Sequence, residues 1–522
     1  MVRISREVHQ IEAGILEALA ADEELYQQAN RLIHVIRHDG SGEAFAADTP
    51  IIEACPLSYL ITRASLHAVF MRPTKRGSAT QTEPPVARVR GVLESGAARE
   101  RTGGGHYKGI RRLDGGVIES PSLRPDGTVI QEPGYDEATR CLYAPNASFP
   151  HVPDAPSHSD AVRGYALLRE VFQDFPYVAE SHLSAVVAAP MTLLARPAIR
   201  GAVPCWVFDA SSKRSGKSRQ TDAISIIATG RPASRTTYPE DEEELEKVIA
   251  GYAVAGARII NLDNVARAFG GAALDKVITA TDSVDVRVLG RTGQLKLPWR
   301  ALVMASGNNI QCRGDMLPRV LAPRLESPLE NPETRPSTAF KHYPLLQWVS
   351  AERPRLVAAA LTILRAWIVA GRPGAAEHPW GGFEEWAALI PPALIWVGAP
   401  DPMGARRGLA GDEDPKRIAE GALVGEWHRL CEEHGAGKGL TVSEAIAHIY
   451  PAPGPDKPPD GWDALREAIG ELTGARNGYP PGSRQVGEAL RQIKARPIDG
   501  RKLVAEVAAR KVARWRTVPV ST

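Results

Sequence analysis

Short apolar runs and helical-period stripes take turns along the middle of this chain. Val203–Phe208, Ala257–Leu262 and Ala301–Ala305 are brief apolar stretches that each end at small or polar residues. Buried parallel strands read this way, because both faces of such a strand are covered. Lys217–Thr229 and Glu242–Ala255 show apolar residues at helical spacing and lie between the strand-like runs. The alternation predicts an α/β core with a parallel sheet. Helical spacing also covers Asp160–Phe172 and Ser181–Ala195, ahead of the first run. After the last run, Leu356, Ala359, Ala360, Ile363, Leu364 and Trp367 form an apolar stripe in a helical region over 346–436.

The two ends have different patterns. Over residues 1–150, Leu32–Arg37 predicts a strand, and Val117–Ile130 predicts two short strands around a Pro-Asp-Gly turn. Arg72–Pro85 and Ser95–Gly105 read as polar loops, and 146–158 as a linker. This mixed α+β region carries no chemistry legible from its residues. Near the C-terminus, Thr441-Val-Ser-Glu444 is a capping box, and Trp462, Leu465, Ile469 and Leu472 make one helix face. Ser483 is placed to cap a third helix over Arg484–Arg491. Pro497–Val504 and Ala513–Val518 would then be strands of a wing, so that 440–522 forms a winged-helix-like domain. Pro451–Pro459 is a Pro/Gly linker within it.

Composition removes several classes. Of the 522 residues 43% are hydrophobic and 24% charged, ordinary values for a folded soluble chain. Net charge is only +2, so a polyanion partner has to be argued from local clusters. The five cysteines are scattered, with no Cys-x-x-Cys, which disfavours a disulfide framework and a zinc ribbon and fits the reducing cytoplasm. No stretch is long and apolar enough for a membrane span, and the opening MVRISREVHQ lacks a signal-peptide core.

The sharpest local signal is Ser211-Ser-Lys-Arg-Ser215-Gly216-Lys217-Ser218, set between a strand and a helix. A phosphate loop needs that junction. Backbone N–H groups and the helix N-terminus cradle phosphate, Lys217 neutralises it, and the Ser218 hydroxyl binds Mg²⁺. Ser211 departs from the usual first glycine, and a polar strand-to-helix turn would also fit these residues. Further along, Asp263 ends a strand as a Mg²⁺-binding acid does, although an Asp there also suits a helix cap. Asn308 ends the next strand, where an amide can sense the γ-phosphate. Arg319 and Arg324 follow, suited to an arginine finger or simply to solvent. Their order and even spacing favour a nucleoside triphosphatase using ATP and Mg²⁺.

Leu262-Asp263-Asn264-Val265, Ser306-Gly-Asn308-Asn309 and Arg319-Val-Leu-Ala-Pro-Arg324-Leu-Glu resemble a AAA+ family of phage and mobile-element replication ATPases. That family is akin to superfamily three and minichromosome-maintenance helicases. Leu123-Arg-Pro-Asp-Gly127 and Pro133-Gly-Tyr-Asp136 resemble the segment preceding its ATPase. The resemblance implies a AAA+ core over 160–345, a hexameric ring, ATP hydrolysis at subunit interfaces with Arg319 or Arg324 acting in trans, and DNA in the pore. Two departures stand out. Arg214 occupies a loop position where glycine is usual, and Asn264 stands where a catalytic Glu often follows the Asp. Glu244 is then a candidate acid, although its run also suits a solvated helix start.

Asp285–Pro298 predicts a β-hairpin with Arg291 and Lys296 flanking its tip. In the resembled helicases a hairpin here enters the pore. From Arg491 to Arg516 nine Lys/Arg face two acids, and Arg484 and Arg491 lie on the helix that would meet duplex DNA. The expectation is an ATP-dependent DNA helicase or translocase replicating a phage or integrated element, with a primase as a further partner. The alternatives are a nucleotide-switched initiator or helicase loader and, more remotely, a small-molecule P-loop kinase.

Overall fold

The computed structural model of the protein describes residues 1–4, 7–41, 45–75, 78–100, 107–287, 294–313, 315–327, 329, 331–377, 379–407, 415–435, 437–450, 461–475, 480–507 and 513–520. They form two compact units, Met1–Leu409 and Ala410–Thr522.

The first part of the larger unit is mixed α+β. Val2–Arg3, Phe70–Pro73 and Ala79–Thr82 make one small sheet. Pro50–Ala54, Arg31–Arg37, Tyr26–Gln28 and Arg111–Arg112 make a second. Helices Val8–Ala20, Leu57–His67 and Val86–Glu100 supply Ile15, Leu19, Leu60 and Val89 to a shared core. This corrects two expectations. Arg72–Pro85 contains strands, and the last helix runs into the Ser95–Gly105 stretch expected as loop. Val86, Val89, Val92 and Leu93 stand at helical spacing and bury Val89 and Val92, but Gly91, Ser95 and Gly96 within the stretch read as loop formers. The turn after Arg124 does form: Ser122–Leu123 pairs antiparallel with Val129–Ile130, and Gly127, at φ +88°, donates its N–H to Arg124 O.

The α/β core follows. Its elements are α1 (His158–Phe172), α2 (Glu180–Ala195), β1 (Cys205–Ala210), α3 (Lys217–Thr229), β2 (Thr236–Thr237), α4 (Glu242–Ala255), β3 (Ile259–Val265) and α5 (Ala272–Ile278). Then come β4 (Ser283–Arg287), β5 (Gln294–Pro298), β6 (Leu302–Gly307), β7 (Val320–Leu321), β8 (Arg324–Leu325) and α6 (Leu345–Val369). The main sheet is parallel, in the order β2-β3-β6-β1-β7, with β8 pairing further along β1. Every residue of β1 is buried, as a central strand requires. β1 starts at Cys205, later than its apolar run, because Pro204 has no N–H to give the ladder. Gly164 lets α1 approach α6 closely: a Cβ there would lie 2.9 Å from Ala359 O.

The helical region does not stand apart from the sheet. Leu356, Ile363 and Trp367 of α6 share one core with Trp206 and Phe208 of β1. The boundary expected between 436 and 440 lies between Leu409 and Ala410. The reason is apolar burial: α7 (Pro415–His434) packs Leu423 and Trp427 against Leu465 and Trp515 of the smaller unit.

That unit continues with β9 (Leu440–Thr441), α8 (Val442–Ile449), α9 (Asp463–Thr473), α10 (Ser483–Gln492), β10 (Arg501–Val507) and β11 (Ala513–Pro519). Its strands form an antiparallel sheet in the order β9-β11-β10. Thr441 and Glu444 make the expected capping box on α8. Ser483 does not cap α10. Gly482 is the cap residue and donates its N–H to Gln485 Oε1 at 3.0 Å, because the chain enters the helix one residue earlier. β10 starts after Gly500, at φ +74°, since the Pro497–Gly500 segment is spent on a turn closed by Ile498 and Arg501.

Candidate nucleotide site

At the carboxyl end of β1 the chain turns through 211–216 and enters α3 at Lys217. Gly216 caps α3 at φ +104°, and a Cβ there would lie 2.7 Å from Phe175 Cε1. Backbone angle and close approach both demand glycine. Arg214 holds a left-handed turn at φ +59°, where glycine would be the relaxed choice. Its side chain is 73% exposed, with Nη1 2.8 Å from Glu333 Oε1.

Lys217 turns back over this loop. Its ammonium donates to Asn308 Oδ1 at 2.7 Å, Ser215 Oγ at 3.1 Å and Ser212 O at 3.2 Å. Asn308 follows β6, which pairs directly with β1, so neighbouring strand ends bring these residues together. Burial pulls the Lys217 pKa below the ordinary lysine value, and the carboxylates of Asp209 and Asp263 oppose that pull.

Asp263 lies on β3, on the far side of β6. The Ser306 hydroxyl donates to Asp263 Oδ1, and Arg235 Nε lies 3.8 Å from Asp263 Oδ2. Arg235 also donates from Nη2 to Asp222 Oδ2 at 2.6 Å, and Asp222 is a buried residue of α3. Asn264 sits in the irregular register between Leu262 and Val265, exposed and at φ +56°. Glu244 is in the first turn of α4, capped by Asp241 and 3.3 Å from Lys247 Nζ. It is a solvated helix start.

The two arginines are both engaged within the chain. Arg319 Nη1 donates to Asp275 of α5. Arg324 pairs with Asp209, which is completely buried on β1, and donates to Asn309 Oδ1 at 3.2 Å. Asp209 Oδ1 accepts the Ile310 N–H at 3.0 Å, while His182 Nδ1 accepts the Arg324 N–H at 2.9 Å. Asp209, Asp222 and Arg235 are not among the sequence candidates, and Ser306 stands there only within the resembled Ser306-Gly-Asn308-Asn309 stretch. The available signal was a polar residue inside an apolar run, as in Trp206-Val-Phe-Asp209 and Leu302-Val-Met-Ala-Ser306.

The residues suit a magnesium-bound triphosphate. A helix N-terminus, an ammonium, a hydroxyl on Ser218 and a carboxylate on Asp263 are the donors such a group takes. The Ser212 hydroxyl is buried without a hydrogen-bond partner, a polar group open to a ligand. Among the described residues no group of three or more His, Cys, Asp or Glu could hold a metal alone, so Mg²⁺ here would rely on water and phosphate oxygens.

The β4–β5 hairpin forms, with Val284, Val286, Leu295 and Leu297 on its buried face. Arg291 lies outside the described residues. Lys296 does not flank the tip: it sits on the exposed face of β5 directly opposite Asp285, and Arg287 is exposed two pairs further out. In the smaller unit, Arg484 is 90% exposed beside Glu488 on α10, and Arg491 Nε donates to Gly487 O. Much of the basic C-terminal charge is internally matched: Arg496 pairs with Glu420, Arg514 with Glu444 and Arg516 with Glu506. Among the described residues no helix is long and apolar enough to cross a membrane.

No family model and no curated protein matches the chain. Among solved structures, the apo C-terminal region of NrS-1 is 12% identical with a TM-score of 0.36, covering 93% of this chain and 96% of that one. A JCV helicase structure is 9% identical with a TM-score of 0.22, covering 75% of this chain and 88% of that one. Likeness at this level assigns neither family nor activity.

Proposed function

We propose that the chain is an ATP-dependent DNA helicase or translocase that works as a ring in replicating a phage or integrated element. The observation that carries this reading is the contact between Lys217 and Asn308 at the carboxyl ends of adjacent parallel strands, with Ser306–Asp263 one strand further along. In open α/β sheets, ligands bind at the strand ends where the chain order reverses. Here β1 is flanked by β6 and β7, both later in the chain.

Bound Mg²⁺-ATP supplies the phosphoanhydride and the metal charge. The protein's part is positioning and electrostatics. N–H groups opening α3 orient the phosphates, Lys217 leaves Asn308 to meet their charge, and Asp263 with Ser218 holds the metal. Asn308, released from Lys217, is free to turn its amide to the terminal phosphate. Arg319 is the arginine for a neighbouring subunit. Arg324, tied to Asp209, instead fixes the strand ends under the loop. The AAA+ assignment belongs to this reading, as does a winged-helix role for the smaller unit, whose α10 would meet DNA through Arg484 and Arg491. Arg287, Arg291 and Lys296 would contact single-strand phosphates along the hairpin.

A second reading is a nucleotide-switched initiator or loader. Asn264 favours it, since an amide cannot act as general base. Steady-state ATP hydrolysis by the wild type and Lys217→Ala tests the site. Turnover lost in a folded Lys217→Ala protein is the expected result, and equal turnover removes the assignment.

A further inference from the structure

The Asp222–Arg235–Asp263 chain has an asymmetry with a functional consequence. Arg235 grips Asp222 Oδ2 at 2.6 Å but reaches Asp263 Oδ2 only at 3.8 Å. Asp222 is 5% exposed, lies against the Ala233 backbone N–H, and has an Oδ1 that is buried with no side-chain partner. A buried carboxylate cannot give up its cation without a large penalty. Asp263 can, because the Ser306 hydroxyl already satisfies one of its oxygens. Arg235 itself is anchored at the start of β2, where Thr237 pairs with Asp263, yet its side chain is 45% exposed and has room to swing. Asp222 follows Ser218 by one helical turn, so both lie on the same stripe of α3.

We propose that Arg235 is the cation that competes with Mg²⁺ for Asp263, and that Asp222 is the second carboxylate onto which it withdraws when the metal arrives. The inference rests on the nucleotide-site reading. A guanidinium near Asp263 lowers the local negative potential, so a divalent ion is disfavoured until its accompanying phosphates add theirs. The spare oxygen of Asp222 lets the withdrawn guanidinium take a two-point grip. Arg235 and Asp222 are thus positioning residues that act through Asp263, and they couple metal binding to nucleotide binding.

The test is metal affinity of the full chain in the presence of ADP, with Mn²⁺ as the probe followed by electron paramagnetic resonance. Arg235→Gln removes the competitor and should lower half-saturating Mn²⁺ by about threefold or more, the scale of one partly screened unit charge. Asp222→Asn removes the retreat and should raise it by about threefold or more. Arg235→Lys keeps the charge and should stay close to the wild type. General loosening of the site would weaken binding in both neutral variants, so shifts of opposite sign are diagnostic. Unshifted affinities, or shifts of the same sign, overturn the proposal. If Asp222→Asn does not fold, the Gln and Lys variants of Arg235 decide it alone. Wild-type protein that binds neither ADP nor Mn²⁺ would sink the nucleotide-site reading itself. ADP-dependent Mn²⁺ binding that Lys217→Ala loses, with no shift in the Arg235 variants, would sink only this inference.

Discussion

The Lys217 ammonium and the Asn308 side-chain oxygen lie 2.7 Å apart, joining the first turn of α3 to the end of β6. In this arrangement the cation is held by its own protein, and a phosphate has to displace it. Asn308→Ala should therefore leave nucleotide binding intact or slightly tighter, while turnover falls by about tenfold or more through loss of an oriented polar group. Fluorescent-nucleotide titration alongside steady-state hydrolysis separates the two. Weaker binding with unchanged turnover would assign Asn308 to ground-state contact only.

Arg324 and Asp209 form a different kind of pair, since Asp209 is wholly buried. Arg324→Met strands that carboxylate and should destabilise the larger unit by about 3–5 kcal/mol. Adding Asp209→Asn should recover much of the loss. Urea unfolding of the single and double variants checks this. Full stability in Arg324→Met, with turnover abolished, would return Arg324 to the role of an arginine finger.

Among the described residues Arg319 is paired with the partly exposed Asp275 alone, and it is the better placed arginine to act in trans. Fingers of this kind are worth ~10³–10⁵ in turnover. Arg319→Ala and Lys217→Ala should each be inactive alone, and mixing them should restore partial hydrolysis because one interface in the mixture is complete. Absence of rescue at any mixing ratio would place hydrolysis within a single subunit.

His182 adds a pH signature to the same region. It accepts the Arg324 N–H on Nδ1, and burial, helped by the Arg324 charge, holds its pKa below the ordinary histidine value. The unfolded chain, with its histidine near about 6.5, then binds the proton more readily than the folded one. Stability from this group is full above that value and is lost as pH falls towards the depressed folded pKa. Between about pH 7.5 and 5.5, His182→Asn, which keeps an acceptor, should lose less thermal stability than the wild type. Equal losses would show that His182 is not a source of the acid sensitivity.

Much of this architecture was legible because its strands are buried on both faces. Ile259–Leu262 and Leu302–Ala305 show as apolar runs, and α3 and α4 begin and end at loop and cap residues the eye can find. Lys217 and Asn308 were legible for the same reason, standing where a loop and a strand end, whereas Asp263 lies inside β3 at the irregular register after Leu262. Helix Val86–Glu100 was not, because Gly91, Ser95 and Gly96 read as loop formers inside it. The partners of Asp209 and Ser306 were illegible for a topological reason, although each shows as a polar residue inside an apolar run. Ser306 reaches Asp263 because β6 pairs with β3, and Asp209 reaches Arg324 because β8 pairs along β1, an order that linear spacing does not carry. The hairpin was legible as a hairpin, but the pairing of Lys296 with Asp285 depends on its register.

Strand displacement on a forked duplex tests the central claim most directly. With Mg²⁺ and ATP, the wild type should release the displaced strand, while Lys217→Ala should bind the fork and leave it closed. Replacing both Arg287 and Lys296 with Ala should spare basal hydrolysis, abolish displacement, and flatten the salt dependence of single-strand binding by about 0.7 per lost phosphate contact. Nucleotide-dependent fork binding with no strand released under any condition would contradict the motor and leave a nucleotide-switched DNA-binding protein in its place.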